Sequence, residues 1–248
     1  MLDVKALDQI DPGTRLVDLT KTRLTAVQRA LAVCAYPVGY VDGSHGPKTR
    51  NAFAELVNDE GLGDPELVSE QVIDHMKSKV QNMRTLLDKP ADNSEVVKER
   101  IAEAFRLIGL PYKAHIAYGL ATTQWETNHT FKPVKEAYWL SESWRKKNLR
   151  YYPYYGRGYV QLTWDRNYDL YRGILGLDLV DDPDFALRHD VSLFVIAHGM
   201  KMGGFTGRKL EDYITRNKTD FVNARRVING TNKAHEIAAL AEEYMDSL

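Results

Sequence analysis

The chain has 248 residues, 44% of them hydrophobic and 27% charged, with a formal net charge of −1. That length accommodates one large domain or a large and a small one, and the near-neutral balance argues against whole-protein attraction to nucleic acid. Cys34 is the sole cysteine, which excludes an internal disulfide and a cysteine-rich zinc site. The opening MLDVKALDQIDPG lacks a basic start followed by an apolar run, so no signal peptide is expected. No apolar stretch approaches the length needed to cross a bilayer. The expectation is a monomeric, non-membrane protein made in the cytoplasm.

From Thr20 onward, Leu24, Val27, Leu31 and Cys34 recur at helical spacing, with Thr25 and Gln28 placed as in a capping box. Cys34 reads as a small buried hydrophobe. Pro37, Gly39, Asp42, Gly43, Gly46 and Pro47 then crowd a loop, and Pro47 opens a second helix with Phe53, Leu56 and Val57 as its buried face. The segment VQRALAVCAYPVGYVDGSHGPKTRNAF resembles the small three-helix peptidoglycan-binding module, which has a VQ-x-x-L helix followed by DG-x-x-G-x-x-T and a further helix. The resemblance marks Asp42, Gly43, Gly46 and Thr49 as residues of a wall-binding module. The plain alternative is a generic helix–loop–helix, since Gly and Asp favour any turn.

Residues 64–89 predict one amphipathic helix through Leu67, Val72, Ile73, Met76, Val80, Met83 and Leu87. KPADNSE, residues 89–95, combines proline with polar residues and an N-cap, which places a boundary there. The expected division is a small helical domain plus linker helix over 1–88 and a larger domain over 89–248. Segments such as IAEAFRLIGL, HIAYGLATTQW, FALRHDVSLFVIAHGM and EIAALAEEYM are helical in period, so the fold class is mainly α.

Glu126 ends an apolar helix directly after Trp125, and Glu136 follows beyond Pro133. Two carboxylates are the minimum equipment for glycosidic cleavage, one to protonate the leaving oxygen and one to activate water or attack carbon. A carboxyl beside an indole, partly removed from water, suits the acid role. Among so many acidic residues such a pair is commonplace taken alone. Next comes YYPYYGRGYVQLTWDRNY, residues 151–168, which mixes aromatic rings, glycines and amides. Around it runs a basic stretch, Lys132, Lys135, Arg145, Lys146, Lys147, Arg150 and Arg157, against Glu136 and Glu142 alone. Such a run is commonly a solvated face and at most hints at an anionic partner.

In that order, these pieces resemble glycoside hydrolase family 19, the chitinases and bacteriolytic enzymes of the lysozyme-like superfamily. The resemblance covers residues 95–248 and falls on Glu126, Glu136, the GRG-x-x-QL-[ST]-x-x-x-NY pattern through Gly156, Arg157, Gly158, Gln161, Leu162, Thr163, Asn167 and Tyr168, the DDPDFAL segment, and VINGT with Asn229. It implies a lysozyme-like helical catalytic domain. Trp125 stands where the family usually has histidine, and the short Glu126–Glu136 interval is nearer the phage and bacterial endolysin branch than the plant chitinases. No counterpart of the family's arginine near the C-terminus is found downstream of Asn229.

The resemblance implies inverting hydrolysis without metal or organic cofactor: Glu126 as acid, Glu136 as base and Thr163 holding the water, with Glu142 the alternative base. The two carboxyls would stand about 6.5–9.5 Å apart. Arg157, Gln161, Asn167 and Asn229 would contact substrate, and Tyr155 or Trp164 would pack on sugar rings. Bacterial peptidoglycan is the expected partner, and an endolysin reaching the periplasmic wall through a separate holin-type pore is the expected biology. The alternatives are a chitinase and a non-catalytic wall-binding protein. A zinc amidase is disfavoured because His115, His129, His189, His198 and His235 show no paired ligand spacing. A nucleophilic Cys34 is disfavoured by its place in the first helix.

Overall fold

A computed structural model describes all residues, 1–248. The chain is mainly helical, as its periodicity predicts, with ten α-helices and three two-stranded ribbons. None of its helices is long and apolar enough to cross a membrane. Two compact units are present, Met1–Thr85 with Leu170–Leu177, and Leu86–Asp169 with Asp178–Leu248. The first division thus falls three residues before KPADNSE, and a short later segment belongs to the first unit.

In the first unit, β1 (Thr14–Arg15) pairs antiparallel with β2 (Leu67–Val68), and α1 (Lys21–Val33), α2 (Pro47–Asp59) and α3 (Glu70–Leu87) supply the helices. Leu24, Val27 and Leu31 of α1 and Phe53, Leu56 and Val57 of α2 are buried together with Val72, Met76 and Val80 of α3. Each such side chain contributes about 1.5–3 kcal/mol relative to exposure. Two local expectations change. Leu67 lies in a strand, because Ser69 starts the helix after it: the Ser69 hydroxyl accepts from the Val72 amide at 3.2 Å. Thr25 and Gln28 form no capping box, since both lie inside α1, where the Thr25 hydroxyl donates to the Lys21 carbonyl. Cys34 is half-buried, with its thiol pushed up to about 12 by burial, which makes it inert near neutrality.

The second unit is built around two helices buried on every side. α4 (Ser94–Leu107) starts at Asn93, whose side chain accepts from the Val96 amide. It packs against α5 (Lys113–Glu126), whose residues Ala114 to Thr123 are all buried. The β3 (Val134–Lys135) and β4 (Arg157–Gly158) ribbon follows, with α6 (Glu142–Asn148) between its strands. After α7 (Asp165–Leu175) comes α8 (His189–Met202), buried from Val191 to Met200. A ribbon of β5 (Ile214–Thr215) and β6 (Lys218–Thr219), the short α9 (Phe221–Ala224) and α10 (Ala234–Ser247) complete it, with α10 against α5. Helices apolar around their whole circumference belong in a core. Their ends, and the loops joined to them, reach the surface and carry the polar chemistry.

Candidate active site

An open cleft of about 470 Å³ in the second unit is lined by Glu126, Glu136, Tyr151, Val160, Gln161, Thr163, Trp164, Asn167, Phe205, Thr206, Ile228 and Asn229. Seven of the residues singled out in the sequence therefore meet there: Glu126, Glu136, Gln161, Thr163, Trp164, Asn167 and Asn229.

Glu126 is the last residue of α5, where the helix dipole is negative and an anion needs compensation. Arg225 supplies it: its Nη1 donates to Glu126 Oε1 at 2.5 Å, and its Nε donates to the Asn232 carbonyl at 3.1 Å. Both side chains are largely buried, with 16% and 6% exposure for Glu126 and Arg225. The immediate polar neighbour of the Glu126 carboxyl is thus a guanidinium, whereas the sequence drew attention to the adjoining indole. The Arg225 carbonyl also accepts from the Asn229 amide at 3.0 Å, so one turn sets both residues.

Glu136 sits where the β3–β4 ladder ends. Its backbone amide donates to the Gly156 carbonyl at 2.7 Å, extending the ribbon by one pair. Its carboxylate accepts from the Tyr151 hydroxyl (2.7 Å, Oε1) and the Gly156 amide (2.9 Å, Oε2). The Tyr151 hydroxyl is pushed up to about 12, by burial first and then by its bond to Glu136, so it remains a donor through neutral pH. Gly156 is required by space: a Cβ there would lie 2.7 Å from Gln161 Oε1 and 3.2 Å from Glu136 Oε2.

The following loop is locked by its own amides. Gln161 Nε2 donates to the Val134 carbonyl at 3.1 Å, the Thr163 hydroxyl donates to the Gln161 carbonyl at 2.6 Å, and Asn167 Nδ2 donates to the Thr163 carbonyl at 2.7 Å. Trp164 is partly exposed, with its ring edge-on to Tyr151 and the Arg150 guanidinium 4.9 Å from its centre. Gln161 (φ 56°) and Trp164 (φ 75°) have left-handed backbones, as do Asn128, His129 and Phe131 after Glu126 and Ala137 after Glu136. Side-chain-bearing residues adopt that conformation at a cost, and such strain concentrates at functional sites.

Three expected residues stand elsewhere. Tyr155 is 1% exposed, with its hydroxyl on Glu142 and its ring under Arg157, so it offers no face to a sugar. Arg157 is equally buried. It binds Asp184 through Nε at 2.8 Å and the Pro153 and Tyr155 carbonyls and the Tyr168 hydroxyl through Nη1, which makes it the clamp of the loop rather than a substrate contact. Asp184, also bound by Lys135, is held below the usual carboxylate range: its burial acts the other way but is outweighed by those two cations. Glu142 is exposed, pairs with Arg145 at 3.0 Å and does not line the cleft.

Arg225 and Tyr151 were not singled out in the sequence. Arg225 lies four residues before Asn229, a position in a helical turn that a search downstream of Asn229 passes over. Tyr151 is one ring among many in its segment.

The loop motif of the first unit resolves into a network around Gln28, which is 1% exposed. Gln28 Oε1 accepts from the amides of Asp42 (3.0 Å) and Gly43 (2.7 Å), and its Nε2 donates to Asp42 Oδ1, the Ser44 carbonyl and Thr49 Oγ1. Gly43 (φ 71°) has no room for a Cβ, which would meet Lys21 Cγ at 2.5 Å. Gly46 is the N-cap position of α2, with open space where a Cβ would go. Asp42, Gly43 and Thr49 thus shape the loop.

No arrangement of three or more His, Cys, Asp or Glu is placed to hold a metal ion. His115 bonds the Ile214 carbonyl and His189 the Tyr159 hydroxyl; burial lowers both. No protein-family model matches the chain, and no curated protein matches it.

Proposed function

We propose that this protein is a modular, lysozyme-like glycosidase of the endolysin kind, cleaving β-1,4 bonds of bacterial peptidoglycan while its first unit binds the wall. The observation that carries this reading is the meeting of Glu126 and Glu136 in one cleft, each with a different set of partners. Different environments are what divide two carboxyls into acid and base.

The Glu126–Arg225 ion pair is the form left after proton transfer: protonated Glu126 delivers its proton to the departing sugar oxygen, and the Arg225 guanidinium stabilises the carboxylate that results. Glu136, fixed by Tyr151 and Gly156, keeps lone pairs on both oxygens and takes a proton from the attacking water. The Thr163 hydroxyl proton is engaged by the Gln161 carbonyl, so its oxygen meets that water as an acceptor. Asn229, whose Oδ1 accepts from the Gly230 amide, has its Nδ2 left to donate to substrate. Trp164 offers a ring face to a sugar. In this reading the protein acts as a monomer on the periplasmic wall, carried there through a separately made pore, and host lysis follows.

The test is mass spectrometry of fragments released from purified sacculi. Reducing N-acetylmuramic acid ends are expected from the native protein, and none from Glu126→Gln, which still sediments with sacculi. Wild-type release by that variant would remove Glu126 from the mechanism. Cleavage of chitin oligomers with sacculi left intact would replace peptidoglycan by chitin.

A further inference from the structure

The basic run between Lys132 and Arg157 separates into two groups. Lys135 and Arg157 both bind Asp184, and Arg145 binds Glu142. Those three cations are structural. Lys132, Lys146, Lys147 and Arg150 are exposed and have no carboxylate partner, and the last three lie within residues 146–150.

These unpaired cations share a short segment with aromatic rings that the fold leaves in solvent. Trp139 is 71% exposed, Tyr138 57% and Trp144 38%. Isolated exposed rings are ordinary, whereas a cluster beside unpaired cations marks a binding surface. The segment is also rigidly attached to the cleft. Buried Arg145 donates from Nε to the Glu136 carbonyl at 2.9 Å and from Nη2 to the Ala137 carbonyl at 2.8 Å. At its far end, Arg150 lies over cleft-lining Trp164, and the next residue, Tyr151, holds Glu136. The segment bearing these cations and rings is thus tied at both ends to residues of the cleft, Glu136 and Trp164.

Resting on the glycosidase reading above, we propose that Lys146, Lys147 and Arg150 recognise the carboxylates of the peptides that branch from the peptidoglycan strand, while the exposed rings beside them pack on the flanking sugars. A neutral polymer such as chitin gives these cations nothing to bind. The rim thus selects a glycan carrying acidic peptide over a bare one, and does so without touching the reacting bond. An anionic bilayer is the other surface that attracts cations beside tryptophan. The attachment of this segment to the walls of a cleft favours the branched glycan.

The experiment compares two substrates, intact sacculi and the same glycan stripped of its peptides by an amidase. Wild type is expected to prefer intact sacculi, and added salt is expected to erase the preference. In Lys146→Gln/Lys147→Gln the ratio of kcat/KM for intact over stripped glycan should fall by about tenfold, through KM. An unchanged ratio overturns the proposal. So does loss by the variant of sedimentation with phosphatidylglycerol vesicles while its sedimentation with sacculi stays at the wild-type level. If wild type cuts neither glycan, the glycosidase reading fails by itself. The rim is then judged on the preference for sedimenting with intact over peptide-stripped sacculi: a salt-sensitive preference lost in the variant supports it, and one equal to wild type overturns it.

Discussion

Arg225 Nη1 donates to Glu126 Oε1 at 2.5 Å across 99 residues of sequence. The pair joins the end of α5 to the turn that presents Asn229, so one contact both fixes a carboxyl and closes one side of the cleft.

Removing one member of a buried pair leaves the other uncompensated, at a cost of about 3–5 kcal/mol. R225M is therefore expected to lower stability in urea denaturation by that order. Adding E126Q, which removes the stranded charge, should recover a large part of it. Equal stability of R225M and wild type would show that the contact does not hold the fold.

The Tyr151–Glu136 contact makes a prediction about rate rather than stability. Y151F loses the hydroxyl donor to Oε1 and keeps the ring against Trp164. Its loss leaves the Glu136 carboxylate held by the Gly156 amide alone and should lower kcat by about tenfold or more. Because the hydroxyl titrates only near 12, the native profile should show no tyrosine limb near neutrality. A kcat unchanged in Y151F would assign the contact a packing role only.

That Glu126, Glu136 and residues of the 161–167 loop meet in one cleft was legible because local motifs in a fixed order carry them. The helices were legible from apolar spacing, as Leu24, Val27 and Leu31 show. Arg225 was not, because pairing across 99 residues leaves no local pattern. Tyr155 and Arg157 were misjudged for a related reason: a ring or a guanidinium beside glycine suits a sugar cleft and a buried clamp equally well. Only burial separates the two, and it is a property of the folded unit. The assignment of Leu170–Leu177 to the first unit was equally silent, since α7 is continuous through residue 170.

The Gln28 network predicts that the loop motif acts first on folding. Q28L strands the amides of Asp42 and Gly43 and should destabilise the first unit by about 2–4 kcal/mol. Sedimentation with sacculi should weaken in parallel as the loop loosens. Full wall binding by a destabilised Q28L would separate the loop from recognition.

Burial raises the hydroxyls of many tyrosines, Tyr155 and Tyr244 to about 12 and Tyr118, Tyr159, Tyr168 and Tyr171 further still. Raised values mean that the folded state keeps protons which the unfolded state releases. The stability they contribute is complete below the unfolded value of about 10 and falls as pH climbs past it. Thermal melts should be insensitive to these groups near neutrality and drop steeply in strong alkali. The full tyrosinate absorbance of all fourteen rings should be reached only with unfolding; full absorbance well before unfolding would contradict this burial.

Gly156 permits the sharpest test of the cleft geometry. A Cβ at this position meets Gln161 Oε1 at 2.7 Å and Glu136 Oε2 at 3.2 Å, ends that can shift, and Gln161 Cβ at 3.0 Å, which moves only with the loop backbone. G156A should therefore melt somewhat below wild type and hold Glu136 out of place. Misplacement of a catalytic group by about 1 Å costs on the order of a hundredfold in rate. The matched control is G46A, where φ is −129° and the added carbon meets open space. It should match wild type in kcat, with a small loss in melting because alanine caps a helix less well than glycine. Comparable kcat for G156A and G46A on sacculi would mean that the Gly156–Glu136 contact does not position the base.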